Sequence, residues 1–419
     1  MDYFQIRGGR PLKGRIPVSG AKNAALPILA ATLLTDKVST LSNVPHLNDI
    51  TTMVKLLGAL GADVAINESM ALRVSAAQLN NQRAPYELVK TMRASILVMG
   101  PLLARFGKAE VSFPGGCAIG SRPVDLHLKG FEAMGACIDV RDGYIVATTE
   151  SGLKGCDFTF DTVTVGGTEN LLMAAVLAEG TTTIENAAKE PEVQDLANLL
   201  NQMGARISGA GGSVITIEGV ERLGGCRNYS VIPDRIEAGT FLIAAAITRS
   251  TMRVEPVVAD HLNAVLQKLR DCGCNLIIDD TGITIEPGEL HAVDVTTQPF
   301  PGFPTDLQAP FMALMATASG TSVISEKIYE NRMQHVAELQ RMGASIRLDG
   351  SIAIIEGVPS LSGAPVTGSD LRASAAMVLA GLSAQGTTKV SGLKHLDRGY
   401  DNIESKLRSV GAEIHRMAG

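Results

Sequence analysis

The chain is built from one pattern that occurs six times. Each copy ends a predicted helix with a Gly-Ala-like pair, which precedes an apolar, β-rich run. The pairs are Gly61-Ala62, Gly135-Ala136, Gly204-Ala205, Gly273-Cys274, Gly343-Ala344 and Gly411-Ala412. Successive glycines are 74, 69, 69, 70 and 68 residues apart, so the repeating unit has close to seventy residues. A period of this length can hold a complete module of strands and helices, and the repeats are therefore interpreted as scaffold.

Each unit is predicted to contain two helices and short β-strands. The first helix is apolar on nearly all sides, as expected for an enclosed helix, and is predicted at 23–34, 93–104, 170–178, 238–247, 308–316 and 372–380. The second helix has one apolar face and is predicted at 51–60, 124–134, 192–203, 261–271, 334–342 and 400–410. The glycine of each pair is predicted to cap the second helix in the left-handed conformation. A hairpin-like pair of strands closes the unit.

The sixth unit lacks its last strand. Only residues 413–419 follow the final glycine pair, whereas residues 4–14 resemble the segments that close units three and five. We therefore expect residues 1 to about 21 to complete the sixth unit. Two domains of three units follow, one at 22–231 and the other at 1–21 plus 232–419. The length of 419 residues suits two domains. An open solenoid is disfavoured because its ends would need polar capping repeats.

Composition indicates a cytoplasmic protein. The N-terminus does not have the pattern of a secretory signal, and the longest apolar run, at 24–34, is too short to span a bilayer. The six cysteines show no framework spacing and are expected to be reduced. Cys272 and Cys274 are interpreted as buried small residues, not metal ligands. A net charge of −6 without a long basic block argues against a nucleic-acid partner.

Cations recur where helices are predicted to begin. A cation is locally unfavourable at the positive end of a helix dipole, so six such positions suggest joint binding of a strongly anionic ligand. The alternative is that these side chains form interdomain salt bridges or solvated caps. The residues are Lys22, Arg93, Arg122, Arg332, Arg372 and Arg398.

The segment at 113–123 is the most individual loop of the chain. Three glycines lie between Pro114 and Pro123, and Cys117 lies five residues before Arg122, close to a predicted helix start. A nearby cation and a helix N-terminus both lower a thiol pKa, so a chemical role is expected for Cys117. The segment lacks the order of a P-loop, and a Cys-His-Asn protease using His127 is not supported.

Eight segments together resemble a known family. They are Gly20–Leu29, Lys90–Ile96, Pro114–Cys117, Arg122–His127, Phe303–Asp306 with Glu330–Arg332, Asp370–Ser374 and Asp397–Tyr400. In this order, from end to end, the chain is similar to the enolpyruvyl transferases that act on UDP-N-acetylglucosamine. The resemblance implies an α/β fold with two domains, the inside-out α/β barrel of this family, in which each domain holds three units of about 70 residues.

The resemblance also implies a reaction and the residues that perform it. Phosphoenolpyruvate would transfer its enolpyruvyl group to the 3-hydroxyl of UDP-N-acetylglucosamine, release phosphate and open peptidoglycan synthesis, and thereby serve cell shape and division. Lys22, Arg122 and Arg398 would contact phosphoenolpyruvate, while Cys117 would protonate its carbon 3 and Asp306 would act as general base. Arg93, Arg332 and Arg372 would shape the same cleft. No cofactor, metal, obligate protein partner or membrane is implied.

The sugar nucleotide is expected between the domains. The resemblance assigns Asn23 to both ligands, and Asp306 and Ile328 to the sugar. It assigns the uridine diphosphate to Arg122, Pro123, Val124, Asp125, Leu126, Thr162, Val163, Thr164 and Val165. Some relatives carry Lys in place of Thr162, which leaves a phosphate contact from this side chain open, and 162–165 could instead be a plain β-strand. Closure on binding is expected, because it would exclude water.

Two other functions remain open at this point. An enolpyruvyl transferase acting on shikimate 3-phosphate would share the fold and the cations, although the segments around Cys117 and Arg122 favour a nucleotide sugar. A non-catalytic anion-binding protein on the same scaffold is the other alternative, and the presence of both Cys117 and Asp306 argues against it. The oligomeric state is not predicted, and a monomer is the default.

Overall fold

The protein contains two compact groups of residues. The structure, a computed structural model, describes residues 2–67, 71–113 and 124–419. Within this part of the chain, one compact unit comprises residues 20–232, and the other comprises residues 2–19 and 233–419. We refer to them as the N-terminal unit and the C-terminal unit. That each folds as an independent domain, with the boundaries given above, stays a proposal.

Six four-stranded sheets with one shared topology are present in the described part of the chain. In each sheet, the first strand in spatial order is parallel to the second. The second strand is antiparallel to the third, and the third is antiparallel to the fourth. The sheets of the N-terminal unit are, in spatial order, β14 (Tyr229–Ser230), β3 (Ser39–Ser42), β5 (Leu72–Ser75) and β4 (Asp63–Ile66); β6 (Arg83–Ala84), β7 (Lys108–Ser112), β9 (Tyr144–Thr148) and β8 (Cys137–Arg141); and β10 (Asp157–Thr159), β11 (Thr181–Glu185), β13 (Val214–Glu218) and β12 (Arg206–Ser208).

The C-terminal unit repeats the arrangement. Its sheets are β2 (Gly14–Pro17), β15 (Met252–Glu255), β17 (Ile283–Pro287) and β16 (Cys274–Ile278); β18 (Val295–Thr296), β19 (Thr321–Ser325), β21 (Ile352–Glu356) and β20 (Ser345–Asp349); and β22 (Pro365–Thr367), β23 (Thr387–Ser391), β1 (Tyr3–Arg7) and β24 (Glu413–Met417). The prediction of six α/β units is confirmed, with three sheets in each of the two compact units.

The N-terminal segment serves two sheets. Strand β1 lies between β23 and β24, with Phe4 opposite Val390 and Ile6 opposite Ile414, so it completes the sixth unit as predicted. The same prediction is wrong for residues 14–17. Strand β2 pairs in parallel with β15 of the fourth unit. Each of the six described sheets has one parallel edge strand: in the first sheet it is β14, from a later part of the chain, and in the fourth it is β2, from the N-terminal segment.

The helices follow the predicted alternation. First helices are α1 (Lys22–Ala31), α4 (Met99–Phe106), α6 (Val165–Ala175), α8 (Arg235–Ile247), α10 (Gln308–Met315) and α12 (Leu371–Ser383), and second helices are α2 (Asn48–Leu60), α5 (Asp125–Ala133), α7 (Pro191–Gln202), α9 (Asn263–Asp271), α11 (Val336–Arg341) and α14 (Ile403–Ser409). Further short helices are α3 (Tyr86–Val89), α13 (Leu393–Leu396) and the 3-10 turns Thr32–Leu34, Arg93–Val98, Ala259–Leu262 and Thr305–Leu307.

Burial and capping follow from the repeat. Every residue of α10 is buried, which explains why the first helices lack a polar face. The N-terminal unit and the C-terminal unit each have their own hydrophobic core. The six predicted capping glycines all have positive φ angles, between 90° and 103°, a region that costs other residues free energy. They are Gly61, Gly135, Gly204, Gly273, Gly343 and Gly411.

The first helix of the second unit departs from the prediction. Residues Arg93–Val98 form a 3-10 helix, and the α-helix begins only at Met99. The buried side chain of Asn170 explains the difference, because it donates to the Ile96 carbonyl at 2.9 Å and accepts from the Gly100 amide at 2.8 Å. These two groups would otherwise bond to each other in an α-helix, so Asn170 takes the place of one helical hydrogen bond.

Candidate functional site

Asp306 lies between two arginines in the C-terminal unit. It belongs to the 3-10 turn that leads into α10. Arg332 donates from Nη2 to Oδ1 of Asp306 at 2.7 Å, and Arg372 donates from Nη2 to Oδ2, also at 2.7 Å. The two arginine side chains are only 6% and 5% exposed, whereas that of Asp306 is 23% exposed. The carboxylate is therefore the accessible part of a buried cationic cluster.

The two cations determine the charge of Asp306. Burial by itself would raise the pKa of this carboxyl, but the guanidinium groups of Arg372 and Arg332 outweigh burial and hold the pKa far below its usual range. Asp306 is consequently ionised at neutral pH. A carboxylate so strongly stabilised is a weak proton acceptor until something draws the arginines away.

Arg372 is fixed by its own surroundings. It follows Asp370, the N-cap of α12, whose side chain accepts hydrogen bonds from the Arg372 amide at 2.9 Å and the Ala373 amide at 3.1 Å. This acidic cap offsets the cost of a cation at a helix start. The guanidinium carbon lies 5.4 Å from the ring centroid of Tyr400, which is itself buried and lies 2.9 Å, through its hydroxyl, from Thr240.

The predicted positions of the six cations at helix starts hold only in part. Lys22 begins α1, Arg93 begins a 3-10 helix, and Arg372 lies in the first turn of α12. For the other two described cations the prediction is wrong. Arg332 lies four residues before α11, and Arg398 lies in the turn after α13, because Asn402 has a φ of 48° and delays the start of α14.

In the N-terminal unit, Lys22 pairs with an acid. Its Nζ lies 3.3 Å from Oδ2 of Asp49, and the side chains are 12% and 8% exposed. Asn23, the next residue of α1, is exposed. The start of α1 thus presents an amide to solvent beside a mostly buried lysine.

A second group in this unit surrounds His127. Burial, and then the nearby Arg93, lower its pKa to about 4, against the opposing effect of Asp125. Nδ1 lies 3.1 Å from the side-chain amide nitrogen of Asn170. An amide nitrogen can only donate, so Nδ1 accepts and the proton of the neutral ring lies on Nε2. Sequence reasoning placed Arg93 and Asp125 in the site but considered His127 only as a protease residue.

The segment at 162–165 is not a β-strand. Strand β10 ends at Thr159, residue 162 lies in a bend, and Val165 begins α6. Thr164 caps this helix, because its Oγ1 accepts from the Gly167 amide at 3.2 Å. The plain-strand alternative for these residues is therefore wrong, and a helix N-terminus is present where the diphosphate was expected.

The remaining predicted residues divide by whether the structure describes them. Ile328 is half-buried after β19, and its amide donates to Oε1 of Glu326 at 2.8 Å. Val124 is buried, and Leu126 and Arg398 are half-buried. Cys117, Arg122 and Pro123 lie outside the described residues. In the part of the chain that is described, no group of three His, Cys, Asp or Glu side chains is arranged to hold a metal ion.

The described cysteines differ in exposure. Cys226, Cys272 and Cys274 are buried, as predicted for the last two. Cys156 is half-buried, and burial raises the pKa of its thiol. Cys137, by contrast, is exposed. It begins β8, whose side chains lie largely in solvent.

The fold has known counterparts. A family model described as EPSP synthase (3-phosphoshikimate 1-carboxyvinyltransferase) matches residues 6–407. The enolpyruvyl transferase NikO from Streptomyces tendae superposes with a TM-score of 0.90 at 24% identity, over 100% of this chain and 99% of that one. EPSP synthase from Acinetobacter baumannii gives 0.78 at 19% identity, over the full length of both chains. The molecule therefore has the fold of an enolpyruvyl transferase.

Closer relatives share more than the fold. Proteins named UDP-N-acetylglucosamine 1-carboxyvinyltransferase are 66% identical in Parasynechococcus marenigrum, over 99% of this chain and 96% of the relative, and 58% identical in Coxiella burnetii, over 100% and 96%. The protein of that name from Magnetococcus marinus is 56% identical over the full length of both. The chain belongs to the enolpyruvyl transferase family, in the branch of the UDP-N-acetylglucosamine 1-carboxyvinyltransferases. In the described residues, no helix is long and apolar enough to cross a membrane.

Proposed function

We propose that this enzyme transfers the enolpyruvyl group of phosphoenolpyruvate to the 3-hydroxyl of UDP-N-acetylglucosamine and releases phosphate, the first committed step of peptidoglycan synthesis. The full-length relatives of 56–66% identity carry the name of this activity. The observation that supports it most directly is the carboxylate of Asp306, ionised and partly exposed between Arg332 and Arg372. Such a group can accept a hydroxyl proton beside a bound anion.

The reaction begins with an addition. The 3-hydroxyl oxygen bonds to carbon 2 of phosphoenolpyruvate while its proton passes to Asp306. Carbon 3 gains a proton from Cys117, and the product is a tetrahedral ketal that still carries phosphate. In the elimination, carbon 3 returns a proton to the Cys117 thiolate while the bond from carbon 2 to the phosphate oxygen breaks, and the leaving phosphate takes up the proton held by Asp306. The enol ether and inorganic phosphate result, and every atom and proton is accounted for without a cofactor.

The two arginines that hold Asp306, Arg332 and Arg372, set the order of these reaction steps. Phosphoenolpyruvate carries a phosphate and a carboxylate, both of which compete with Asp306 for guanidinium groups. An anion that draws Arg372 or Arg332 away removes part of what depresses the pKa of Asp306, and the carboxylate becomes a stronger base when substrate is present. Lys22, Arg122 and Arg398 are the further cations that we assign to phosphoenolpyruvate, with Arg93 beside them.

We assign the nucleotide sugar to the N-terminal segment of α6 and to α5. Thr164 and Val165 precede backbone amides at a helix start, which suit a diphosphate. Thr162, Val163, Asp125, Leu126, Val124, Pro123 and Arg122 complete this assignment, with Asp306 and Ile328 on the sugar and Asn23 beside both ligands. Thr162 is exposed and has no positive charge, so the diphosphate depends on the helix and on arginine.

One assay tests the proposed function against its alternatives. Phosphate release from phosphoenolpyruvate is measured with UDP-N-acetylglucosamine, with shikimate 3-phosphate, and with neither acceptor. Release only with the nucleotide sugar is expected. Release with shikimate 3-phosphate would instead identify an EPSP synthase, the enzyme that gives the matching family model its name. If no phosphate is released under any of the three conditions, a binding protein is the better interpretation.

A further inference from the structure

Glu326 is a buried carboxylate with a full set of hydrogen bonds. It follows β19 directly and is 3% exposed. Oε1 accepts from the Thr297 hydroxyl at 2.8 Å and from the amides of Ile328 and Tyr329 at 2.8 and 3.2 Å. Oε2 accepts from the Thr305 hydroxyl at 2.8 Å. One side of this carboxylate therefore holds the backbone at Ile328, and the other side holds Thr305.

Thr305 relays the second contact to the base. Its Oγ1 accepts a hydrogen bond from Nη1 of Arg332 at 2.9 Å, and Nη2 of the same guanidinium reaches Asp306. A guanidinium can only donate, so the single hydroxyl proton of Thr305 must point to Glu326. The direction of each hydrogen bond on the path from Glu326 through Thr305 and Arg332 to Asp306 is thus fixed. The path requires a hydrogen-bond acceptor at residue 326.

We propose that Glu326 is a positioning residue, which holds the base Asp306, through Thr305 and Arg332, in register with the Ile328 segment that contacts the acceptor sugar. This inference rests on the proposed function for the roles of Asp306 and Ile328. The two groups that Glu326 aligns both serve the sugar hydroxyl that reacts. Asp306 takes the proton of this hydroxyl, and Ile328 orients the sugar ring that carries the hydroxyl. A misplacement of about 1 Å in such a pair lowers a rate by roughly a hundredfold.

Replacing Glu326 by Gln tests the direction of the hydrogen bonds. The variant keeps the length of the side chain but has one acceptor and one donor group. If its oxygen faces the amides of Ile328 and Tyr329, its NH2 faces Thr305 and reverses that bond. If the amide is turned, its NH2 faces the backbone amides. In either orientation one end of the alignment is lost, so Glu326→Gln should lower kcat roughly tenfold to a hundredfold.

A threonine pair separates positioning from packing. Thr305→Val keeps the shape of residue 305 but removes the hydroxyl, whereas Thr305→Ser keeps the hydroxyl. We expect Thr305→Val to lose kcat as Glu326→Gln does, and Thr305→Ser to retain most of it. Glu356→Gln, at an exposed position on the neighbouring β21, is the matched control and should leave kcat unchanged. Equal losses for the valine and serine variants would contradict the relay.

Two readouts distinguish alignment from a general loss of structure. Glu326→Gln should leave KM for phosphoenolpyruvate within about twofold, and any rise should be in KM for UDP-N-acetylglucosamine, because the Ile328 segment serves only the sugar. In an Asp306→Asn background, Glu326→Gln should lower kcat no further, since the group on which it acts is already absent. Additive losses, or equal changes in both KM values, would overturn the proposal.

The wild-type assay keeps the two proposals apart. If wild-type enzyme releases phosphate with UDP-N-acetylglucosamine, and Glu326→Gln and Thr305→Val behave as wild type, the positioning role is wrong and the proposed function stands. If wild-type enzyme releases no phosphate with that acceptor, the proposed function fails and the positioning role falls with it. Melting temperatures close to that of the wild type show that each variant is folded.

Discussion

Arg372 donates from Nη2 to Oδ2 of Asp306 across 2.7 Å, although the two residues belong to successive repeats. Asp306 precedes α10 and Arg372 lies in the first turn of α12, so both residues stand near the starts of first helices in successive units. The scaffold repeats, and Asp306-Leu307-Gln308 in one copy corresponds to Asp370-Leu371-Arg372 in the next. Arg372 therefore stands where the preceding copy has Gln308, and it pairs with the acid of that preceding copy.

Replacing Asp306 by Asn should separate turnover from binding. The variant keeps the shape of the side chain but cannot accept a proton, so we expect turnover to fall by a factor of roughly a hundred or more. Binding of UDP-N-acetylglucosamine, measured by calorimetry, should largely persist. Two buried arginines lose their counter-charge, which should cost about 3 kcal/mol of stability. Asp349→Asn, on exposed β20, is the control, and near-wild-type turnover of Asp306→Asn would remove it from the base role.

Arg372 should control the pH dependence of the reaction. The pKa of Asp306 lies far below its usual range, so kcat/KM of the wild type should show no acidic limb from this group above about pH 5. Burial raises the pKa of Asp306 and Arg372 is the cation that lowers it most, so Arg372→Gln should move that limb to higher pH as well as lower the maximum. Arg347→Gln, which alters an exposed arginine, should leave the profile unchanged.

Asn170 should stabilise the N-terminal unit through the backbone. Asn170→Leu leaves the Ile96 carbonyl and the Gly100 amide buried without these partners, which should lower the free energy of unfolding by about 3 kcal/mol. Asn201 bridges a carbonyl and an amide of Ile207 in the same way, but at an exposed site. Asn201→Leu should therefore cost less than about 1 kcal/mol, because water replaces the lost partners. Equal costs in urea unfolding would contradict this account.

His335 should make the stability depend on pH. Burial, which outweighs the nearby Asp370, lowers its pKa to about 4. The folded protein therefore binds this proton less readily than the unfolded chain, whose histidine pKa is about 6.5. The free energy of unfolding therefore does not depend on this proton above pH 6.5. As the pH falls to about 4, the unfolded chain binds the proton first, and the free energy of unfolding decreases by about 3 kcal/mol.

The measurement for His335 compares variants at two pH values. Urea unfolding at pH 7.5 and pH 4.5 should show a smaller loss of stability on acidification for His335→Gln than for the wild type. His415→Gln, which changes an exposed histidine on β24, should lose as much as the wild type. The same loss in all three proteins would show that His335 does not carry the effect.

Cys117 should be the thiol that reacts with a mimic of phosphoenolpyruvate. An epoxide bearing a phosphonate should alkylate this residue, faster in the presence of UDP-N-acetylglucosamine. Cys117→Asp should keep measurable transfer and resist the epoxide, whereas Cys117→Ala should lose transfer and labelling. Exposed Cys137 is the competing thiol, so peptide mapping is done with a Cys137→Ser control. Labelling that disappears with Cys137 instead of Cys117 would show that the loop thiol is not in the site.

How far sequence reasoning reached differs between scaffold and site. The period near seventy residues, the left-handed glycines and the apolar first helices were predicted because each depends on local conformation or on burial that recurs in every copy. The 3-10 turn at Arg93–Val98 was not, because its cause is Asn170, more than seventy residues away in the chain. Likewise, nothing in the segment at 14–17 indicates which sheet it joins as an edge strand.

The identities of Asp306, Arg332 and Arg372 were evident from the sequence by itself, as was the family that they suggest. The tertiary structure decided that both carboxylate oxygens of Asp306 are held by arginine, that Glu326 and Thr305 support the same cluster, and that Cys137 is exposed. The physical reason is that residue types and periods are properties of the chain, whereas a pKa, a hydrogen-bond direction or an exposed thiol depends on groups that only folding brings together.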